Sequence, residues 1–128
     1  MFTLKKLTPV LLVDKIEPVL PFWKRLGFQI TAEVPHGMDL GFVILGRDGL
    51  EVMYQTRTAT KDDLPALADE PSAGLFFLEV SDLDALIAAL GDAPVVVPRR
   101  KTFYGTDEIG VRDPVGNLFL FAQTEAAE

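Results

Sequence analysis

The apolar residues of this 128-residue chain repeat one series of spacings, and that repeat constrains the fold more than any other feature. An apolar run at Leu7–Val13 predicts a buried strand. The segment Glu17–Leu26 then carries apolar residues at i, i+3, i+4 and i+7, which is typical of an amphipathic helix. The same order of patterns returns at Leu75–Val80 and Leu83–Leu90. The chain is therefore expected to contain two copies of one supersecondary unit.

Three further strands follow each predicted helix, which makes each copy a βαβββ unit. The predicted strands are Phe28–Val34, Leu40–Leu45, Leu50–Tyr54, Val95–Val97, Glu108–Arg112 and Leu118–Ala122. We assign the two copies to residues 5–55 and 74–123. The connector at 56–73 is expected to hold at most two helical turns, around Leu64–Ala68. A chain of this length predicts one domain, of the α+β class, over residues 1–128.

The charged and sulfur-containing residues exclude several classes of function. Twelve Lys and Arg against 19 Asp and Glu leave a net charge of −7, which argues against a nucleic acid partner because phosphate backbones are repelled. The absence of cysteine removes disulfides, thiolate zinc sites and a cysteine nucleophile. No apolar run approaches the ~20 residues that span a bilayer, and Met1–Lys6 has no signal-peptide pattern. We expect no membrane partner and a cytoplasmic location.

Several short motifs resemble those of one known superfamily. Val13-Asp14 precedes the aromatic pair and the Leu-Gly-Phe end of the first helix, within Pro21–Phe28. Tyr104–Glu108 precedes the turn Asp113–Asn117. With the βαβββ repeat, these motifs make residues 5–123 similar to the vicinal oxygen chelate superfamily of glyoxalase I, bleomycin-resistance proteins and extradiol dioxygenases. The resemblance implies two mixed sheets, each curled into half of an open barrel, with helices outside and a ligand cleft enclosed by paired modules.

The resemblance and the two-residue alternation of strands together predict which side chains face the cleft. The expected cleft-facing residues are Leu7, Pro9, Leu11, Glu51, Met53, Leu75, Phe77, Glu79, Leu118 and Leu120. Phe103 and Tyr104, in a turn beside Gly105, are expected to line the mouth of the cleft. The opposite face, against the helices, is expected to carry Val10, Leu12, Leu50, Val52, Tyr54, Phe76, Leu78, Phe119 and Phe121.

Metalloenzymes of this superfamily hold one divalent ion through a His, Gln or Glu at two positions of each module. The resemblance places those four positions at Leu7, Glu51, Leu75 and Leu120. A leucine side chain has no donor atom, and one carboxylate alone does not make a divalent site. The single histidine, His36, lies in a Pro-His-Gly turn. We therefore predict no metal site and no cofactor.

Glu51 is the one candidate catalytic residue. In an apolar cleft its carboxylate could act as a general base or as the counter-ion of a cationic ligand group. The alternative is a structural role, in which the carboxylate pairs with an arginine such as Arg57 or Arg112, or reaches solvent at the mouth of the cleft.

Other polar residues are interpreted as structural. His36 is expected to be solvated in its turn. The basic cluster Arg99-Arg100-Lys101 is interpreted as a solvated loop or as protection of an edge strand, rather than as an anion site. Glu108 is interpreted as a charge on an edge strand rather than as a second cleft carboxylate.

Together, the residues and the resemblance favour a metal-free, bleomycin-resistance-like protein. Such a protein would bind an apolar or amphipathic small molecule in a sheet-lined cleft, as a homodimer, and an antibiotic-resistance-like role is implied by the resemblance alone. The alternative is an enzyme of the same superfamily, of lyase, isomerase or dioxygenase type. That enzyme would use Glu51 as general base or a metal site that the residue pattern does not show.

Overall fold

The computed structural model describes residues 1–71 and 74–125, and its elements follow the predicted order. In chain order they are β1 (Val10–Val13), α1 (Leu20–Arg25, after a 3-10 turn at Glu17–Val19), β2 (Gln29–His36), β3 (Asp39–Arg47), β4 (Leu50–Thr56), α2 (Arg57–Asp63, before a 3-10 turn at Pro65–Leu67), β5 (Leu75–Glu79), α3 (Leu83–Leu90), β6 (Val95–Lys101), β7 (Thr106–Arg112) and β8 (Leu118–Thr124). No helix in these ranges is long and apolar enough to cross a membrane.

The strands form two four-stranded mixed sheets of matching topology. The first sheet has the order β1-β4-β3-β2 and the second the order β5-β8-β7-β6. In each sheet the first and last strands of one βαβββ copy run parallel, and the other neighbours are antiparallel. The predicted α+β class with two βαβββ modules is therefore confirmed, and neither sheet closes into a barrel.

The chain divides into two compact units that do not coincide with the two halves of the sequence. The first unit combines Met1–Glu17 with Gly27–Ser72, and therefore holds the first sheet. The second unit combines Pro18–Leu26 with the second half of the chain. Helix α1, which follows β1 in the sequence, thus belongs to the unit of the second sheet.

Aromatic packing shows why α1 belongs to the second unit. The Trp23 and Phe119 rings meet edge to face with their centroids 5.1 Å apart, and Phe22 lies 6.2 Å from the same ring. Phe76 of β5 also stacks on Phe119, with the ring centroids 5.3 Å apart. All three neighbours of Phe119 are large apolar rings, so the cluster removes much apolar surface from water. It forms the core on the helix-covered face of the second sheet.

The connector contains a helix that the sequence pattern did not predict. Helix α2 has seven residues and begins where the Thr56 side chain accepts a hydrogen bond from the Ala59 N–H (3.2 Å). This threonine cap is a recognised start signal, but no apolar stripe accompanies it. The expected turns around Leu64–Ala68 correspond to the short 3-10 segment. The last two connector positions, 72 and 73, lie outside the described residues.

Candidate functional site

Four of the predicted ligand-binding residues lie together on the open face of the second sheet, which is the face opposite α1 and α3. Leu75 pairs with Leu118, and Phe77 pairs with Leu120, on the parallel strands β5 and β8. Leu75 is 65% exposed and Phe77 is 51% exposed. We call these four side chains the apolar face. Alternate residues of β8, such as Phe119, are buried against the helices, so the predicted alternation of this strand holds.

A polar row crosses the same open face one step further along the strands. The strand pairing sets Glu79 beside Ala122, Ala122 beside Glu108, and Glu108 beside Arg100. The Glu108 side chain is 0% exposed, although the Arg100 side chain that pairs with it is 53% exposed. The open face therefore has an apolar part and, next to it, a buried carboxylate beneath an accessible guanidinium.

Four hydrogen bonds satisfy the buried Glu108 carboxylate. Its Oε1 accepts from Arg100 Nε (3.0 Å), from Arg100 Nη2 (2.6 Å) and from the Tyr104 hydroxyl (3.0 Å). Its Oε2 accepts from the Thr106 hydroxyl (3.0 Å), which in turn lies 2.7 Å from the Thr102 hydroxyl. We call Glu108, Arg100, Tyr104 and Thr106 the Glu108 network. A fully buried carboxylate persists only when it is paired and hydrogen-bonded in this way.

The ionisation of Glu108 reflects two opposing effects. Burial alone would raise the pKa of this carboxyl because it disfavours the charged form. The hydrogen bonds from Arg100, Tyr104 and Thr106 together outweigh burial and hold the pKa of Glu108 below its ordinary value. The carboxylate is therefore ionised at neutral pH and keeps the adjacent guanidinium in place.

The structure corrects one sequence-based interpretation of this region and decides between the two alternatives of another. Glu108 is not an exposed edge-strand charge, because β7 lies between β6 and β8. For the cluster Arg99-Arg100-Lys101 only the loop alternative is wrong, because β6 continues through Lys101; β6 is an edge strand, so the alternative of charges on an edge strand is confirmed. Strand alternation then divides the cluster: Arg100 pairs with Glu108, whereas Arg99 pairs with Asp84 of α3 (2.6 Å) and Asp107 (2.9 Å). Sequence reasoning therefore missed Arg100 and Glu108 as residues of the site.

Phe103 and Tyr104 occupy the turn between β6 and β7, beside the polar row. Their rings meet edge to face at 5.1 Å. Phe103 is fully exposed, while Tyr104 is half exposed and directs its hydroxyl to Glu108. The structure thus brings Tyr104 to the open face by a hydrogen bond, and Phe103 accompanies it by ring contact.

Glu51 and Met53 lie in the first unit, on alternate positions of β4. The Glu51 Oε1 atom forms an ion pair with Lys6, and the Glu51 side chain remains 27% exposed. The two arginines proposed as its partners are engaged elsewhere. Arg57 donates to the carbonyl oxygens of Ala68 and Glu70 (both 2.9 Å), and Arg112 donates to that of Gly116 (2.8 Å). The expected arginine pairing is therefore replaced by a lysine.

The predicted faces of the first strand are reversed. β1 begins only at Val10, and its parallel pairing sets Val10 beside Met53 and Leu11 beside Tyr54. Leu11 is therefore buried with Tyr54, on the face opposite Glu51 and Met53. Alternation counted from Leu7 fails because Leu7 precedes the strand and is almost fully exposed. Pro9 has no N–H to donate to a ladder, which explains why the regular strand starts after it.

The donor atoms at the family's metal positions do not suit a divalent ion. Leu7, Leu75 and Leu120 offer only hydrocarbon, and the Glu51 carboxylate already has Lys6 as its partner. His36 lies elsewhere in the first unit, with its Nε2 2.7 Å from Asp62 Oδ2. Within the described ranges, no group of three His, Cys, Asp or Glu side chains is arranged to hold a metal. The residues present do not fit the metal centre known in the superfamily.

The βαβββ architecture and the open sheet faces define a protein of the glyoxalase type. The family model "Glyoxalase/Bleomycin resistance protein/Dioxygenase superfamily" matches residues 6–121, and the chain belongs to that family. No curated protein sequence matches it.

Solved structures with this fold cover nearly the whole chain. TioX from Micromonospora sp. ML1 shares 19% identity at a TM-score of 0.74, over 94% of this chain and 98% of TioX. A glyoxalase/bleomycin resistance protein/dioxygenase from Nocardioides shares 18% identity at a TM-score of 0.72, over 98% of this chain and 89% of its own. The bleomycin resistance determinant encoded on transposon Tn5 shares 21% identity at a TM-score of 0.67, over 96% of this chain and all of its own. At these identities the likeness establishes the fold.

Proposed function

We propose that this protein binds an apolar or amphipathic small molecule without a catalytic metal, in the manner of bleomycin-resistance-type proteins. The apolar face of the second sheet is the observation that supports this function. Leu75 and Phe77 leave large hydrocarbon surfaces in water on regular strands, where a contiguous exposed apolar patch marks a binding site. A ligand that covers these side chains would gain the free energy of removing them from water.

An enzymatic role for Glu51 receives less support. A general base must present its carboxylate to a substrate proton, whereas Lys6 occupies Oε1 of Glu51. Glu51→Gln separates the two functions. For a binding protein this variant is expected to keep its affinity for uncharged ligands, whereas for an enzyme with Glu51 as base it would lose turnover.

The apolar face predicts a matched pair of variants with different affinities. Leu75→Ser is expected to weaken the binding of the uncharged fluorescent probe N-phenyl-1-naphthylamine at least tenfold, because full burial of a leucine side chain contributes about 1.5–3 kcal/mol. Leu50→Ser is the control: this leucine is also a strand residue and is 56% exposed, but it lies in the first unit. Fluorescence titration measures both affinities.

The free energy of unfolding and the probe affinity of the two variants are measured separately. Both leucines are exposed, so neither substitution is expected to change the free energy of unfolding by more than about 0.5 kcal/mol. Equal affinities of the two variants would exclude the apolar face as the binding site. Failure of the unaltered protein to bind any uncharged probe would refute the proposed function.

The metal-free part of the proposal predicts no response to divalent ions. A ligand that binds the native state raises the melting temperature in a saturable way, with its concentration relative to Kd setting the shift. Titration with Ni, Zn, Mn and Fe(II) is therefore expected to leave the melting temperature unchanged. Metal analysis of the purified protein is expected to find less than stoichiometric metal. A saturable shift with any one ion would contradict this part.

The proposal includes a homodimer, because paired modules in this superfamily commonly come from two chains, and a cytoplasmic location. Sedimentation equilibrium measures the assembly. A monomer at micromolar concentration would contradict the dimer and leave the apolar-face experiment unaffected.

A further inference from the structure

The Arg100 guanidinium keeps one hydrogen-bonding edge available beside the apolar face. Its Nε and Nη2 atoms donate to a single oxygen, Oε1 of Glu108, at 3.0 and 2.6 Å. Nη2 also donates a longer hydrogen bond to the Tyr104 hydroxyl (3.4 Å), which a ligand oxygen on the outer edge would replace. Nη1 has no hydrogen bond to any described residue. The edge formed by Nη1 and Nη2 is the one that receives a planar carboxylate in two-point recognition.

The Glu108 network holds this guanidinium in a fixed orientation. Glu108 is fully buried and is itself fastened by the Tyr104 and Thr106 hydroxyls at 3.0 Å each. An arginine on the surface normally loses side-chain freedom when it binds a ligand, and this loss weakens binding. Here the restriction is already imposed by the fold. Arg100 is thus preorganised for a partner on its outer edge.

The neighbouring row of the sheet supplies an apolar surface for the rest of a ligand. Gly110 stands next to Glu108 along this face of β7 and pairs with Leu120 on one side and Val97 on the other. A Cβ at Gly110 would lie only 2.9 Å from Val97 side-chain atoms and 3.3 Å from Leu120. The side chains of Val97 and Leu120 therefore occupy the space above this glycine. Adjacent rows on one face are two residues apart, about 7 Å. A naphthalene-sized body held at Arg100 therefore reaches Val97 and Leu120, whereas the residues of β5 lie two strand spacings beyond β7.

The other charge on this row, Glu79, does not counteract Arg100. These residues lie on the two outer strands of the sheet, three strand spacings apart, or about 14 Å. That separation exceeds the Debye length of about 8 Å at physiological ionic strength, so repulsion between Glu79 and a bound carboxylate is largely screened. Because Glu108 neutralises the charge of Arg100, the long-range attraction between Arg100 and a ligand carboxylate is also weak. Selectivity at Arg100 therefore comes from direct hydrogen bonds.

We propose that Arg100 anchors a carboxylate of the ligand, so that the protein selects small apolar or aromatic carboxylic acids. The inference rests on the proposed function, because the apolar body of the acid would lie on Val97 and on Leu120, the member of the apolar face nearest to Arg100. Arg100 would contact the ligand, and Glu108 and Tyr104 would position it. Arg99 serves as the internal control, because it follows the same strand but pairs with Asp84 and Asp107 on the helix side.

Three probes with one aromatic body test this selectivity by calorimetric titration at neutral pH: 1-naphthoate, 1-naphthylmethanol and 1-naphthylmethylamine. The naphthoate is expected to bind about tenfold more tightly than the alcohol, since hydrogen bonds to a charged group are worth more than 1.4 kcal/mol. Arg100→Lys keeps the charge but removes the planar fork, and is expected to abolish this preference while affinity for the alcohol stays unchanged. Arg99→Lys is expected to keep the preference.

Each result bears on the inference. Equal affinity for the three probes, or preference for the amine, overturns the carboxylate anchor and leaves the proposed function in place. A preference that survives Arg100→Lys also overturns it. Absence of binding by all three probes overturns both the anchor and the proposed function. Tyr104→Phe gives a second measurement that keeps both charges, and is expected to reduce the preference severalfold because the fixed orientation of Arg100 is loosened.

Discussion

Replacing Trp23 with alanine is expected to lower the free energy of unfolding by about 3–5 kcal/mol, the cost of a large cavity in a core. Trp23 is 1% exposed and packs edge to face against Phe22 and Phe119, with centroids 5.3 and 5.1 Å away. Those rings cannot collapse into the space without leaving their own contacts, so most of the lost packing is not recovered. Urea denaturation followed by circular dichroism measures the effect.

The neighbouring residue supplies the control for Trp23→Ala. Lys24 is on the same helix and is exposed, so Lys24→Ala is expected to change the free energy of unfolding by less than about 0.5 kcal/mol. Comparable losses in the two variants would mean that helix propensity, rather than packing on Phe119, accounts for the effect. A loss below 1 kcal/mol for Trp23→Ala would contradict the aromatic core of the second unit.

Glu108→Gln is expected to destabilise the protein by about 1–3 kcal/mol at neutral pH, and by progressively less in acid. Burial opposes ionisation of Glu108, but hydrogen bonds from Arg100, Tyr104 and Thr106 outweigh it and lower the pKa in the folded state. The stabilising contribution is therefore fully present above the pKa of unfolded glutamate, about 4.3, and is lost as the pH falls through the lower folded-state pKa. The glutamine variant has no such group.

The difference in the free energy of unfolding between Glu108→Gln and the unaltered protein measures the effect of Glu108 separately from that of the other carboxylates. Glu17, bonded to the Leu40 N–H, and Asp107, bonded to Arg99, also have lowered pKa values, but they are present in both proteins. Their acid sensitivity therefore cancels when urea denaturation of the variant is compared with that of the unaltered protein at each pH. A difference that stays constant from neutral pH into acid would contradict a role for the Glu108 charge.

The sequence predicted the open face of the second sheet because its strands alternate cleanly. All residues of Leu118–Phe121 are large and apolar, so only their alternation along the strand assigns Leu118 and Leu120 to the open face. The pairing with β5 keeps the same alternation. Periodicity failed where the count began outside the strand. In the first strand the regular pairing begins after Pro9, and the count from Leu7 therefore gave the wrong face to Leu11.

The Glu108 network could not be predicted from the local pattern of residues. Arg100 and Glu108 meet only because β6 and β7 pair with register shifts between Val95 and Val97 and between Val97 and Arg100. Composition shows the basic cluster but gives no means to know which arginine turns toward β7. The alternation of Thr106 and Glu108 with Ile109 and Val111 was the available signal that a polar group shares a buried strand. Such contacts depend on the register between strands, and the spacing of residues along the sequence does not specify that register.

The interleaving of α1 with the second unit means that the repeat in the sequence is not a separable piece of the protein. A polypeptide cut at the connector would leave Phe22 and Trp23 on one fragment and their partner Phe119 on the other. Each fragment alone would display aromatic surface that only its complement can cover. The two halves resemble each other in pattern, yet they depend on each other to fold, so a break between them is expected to yield complementing fragments rather than independent domains.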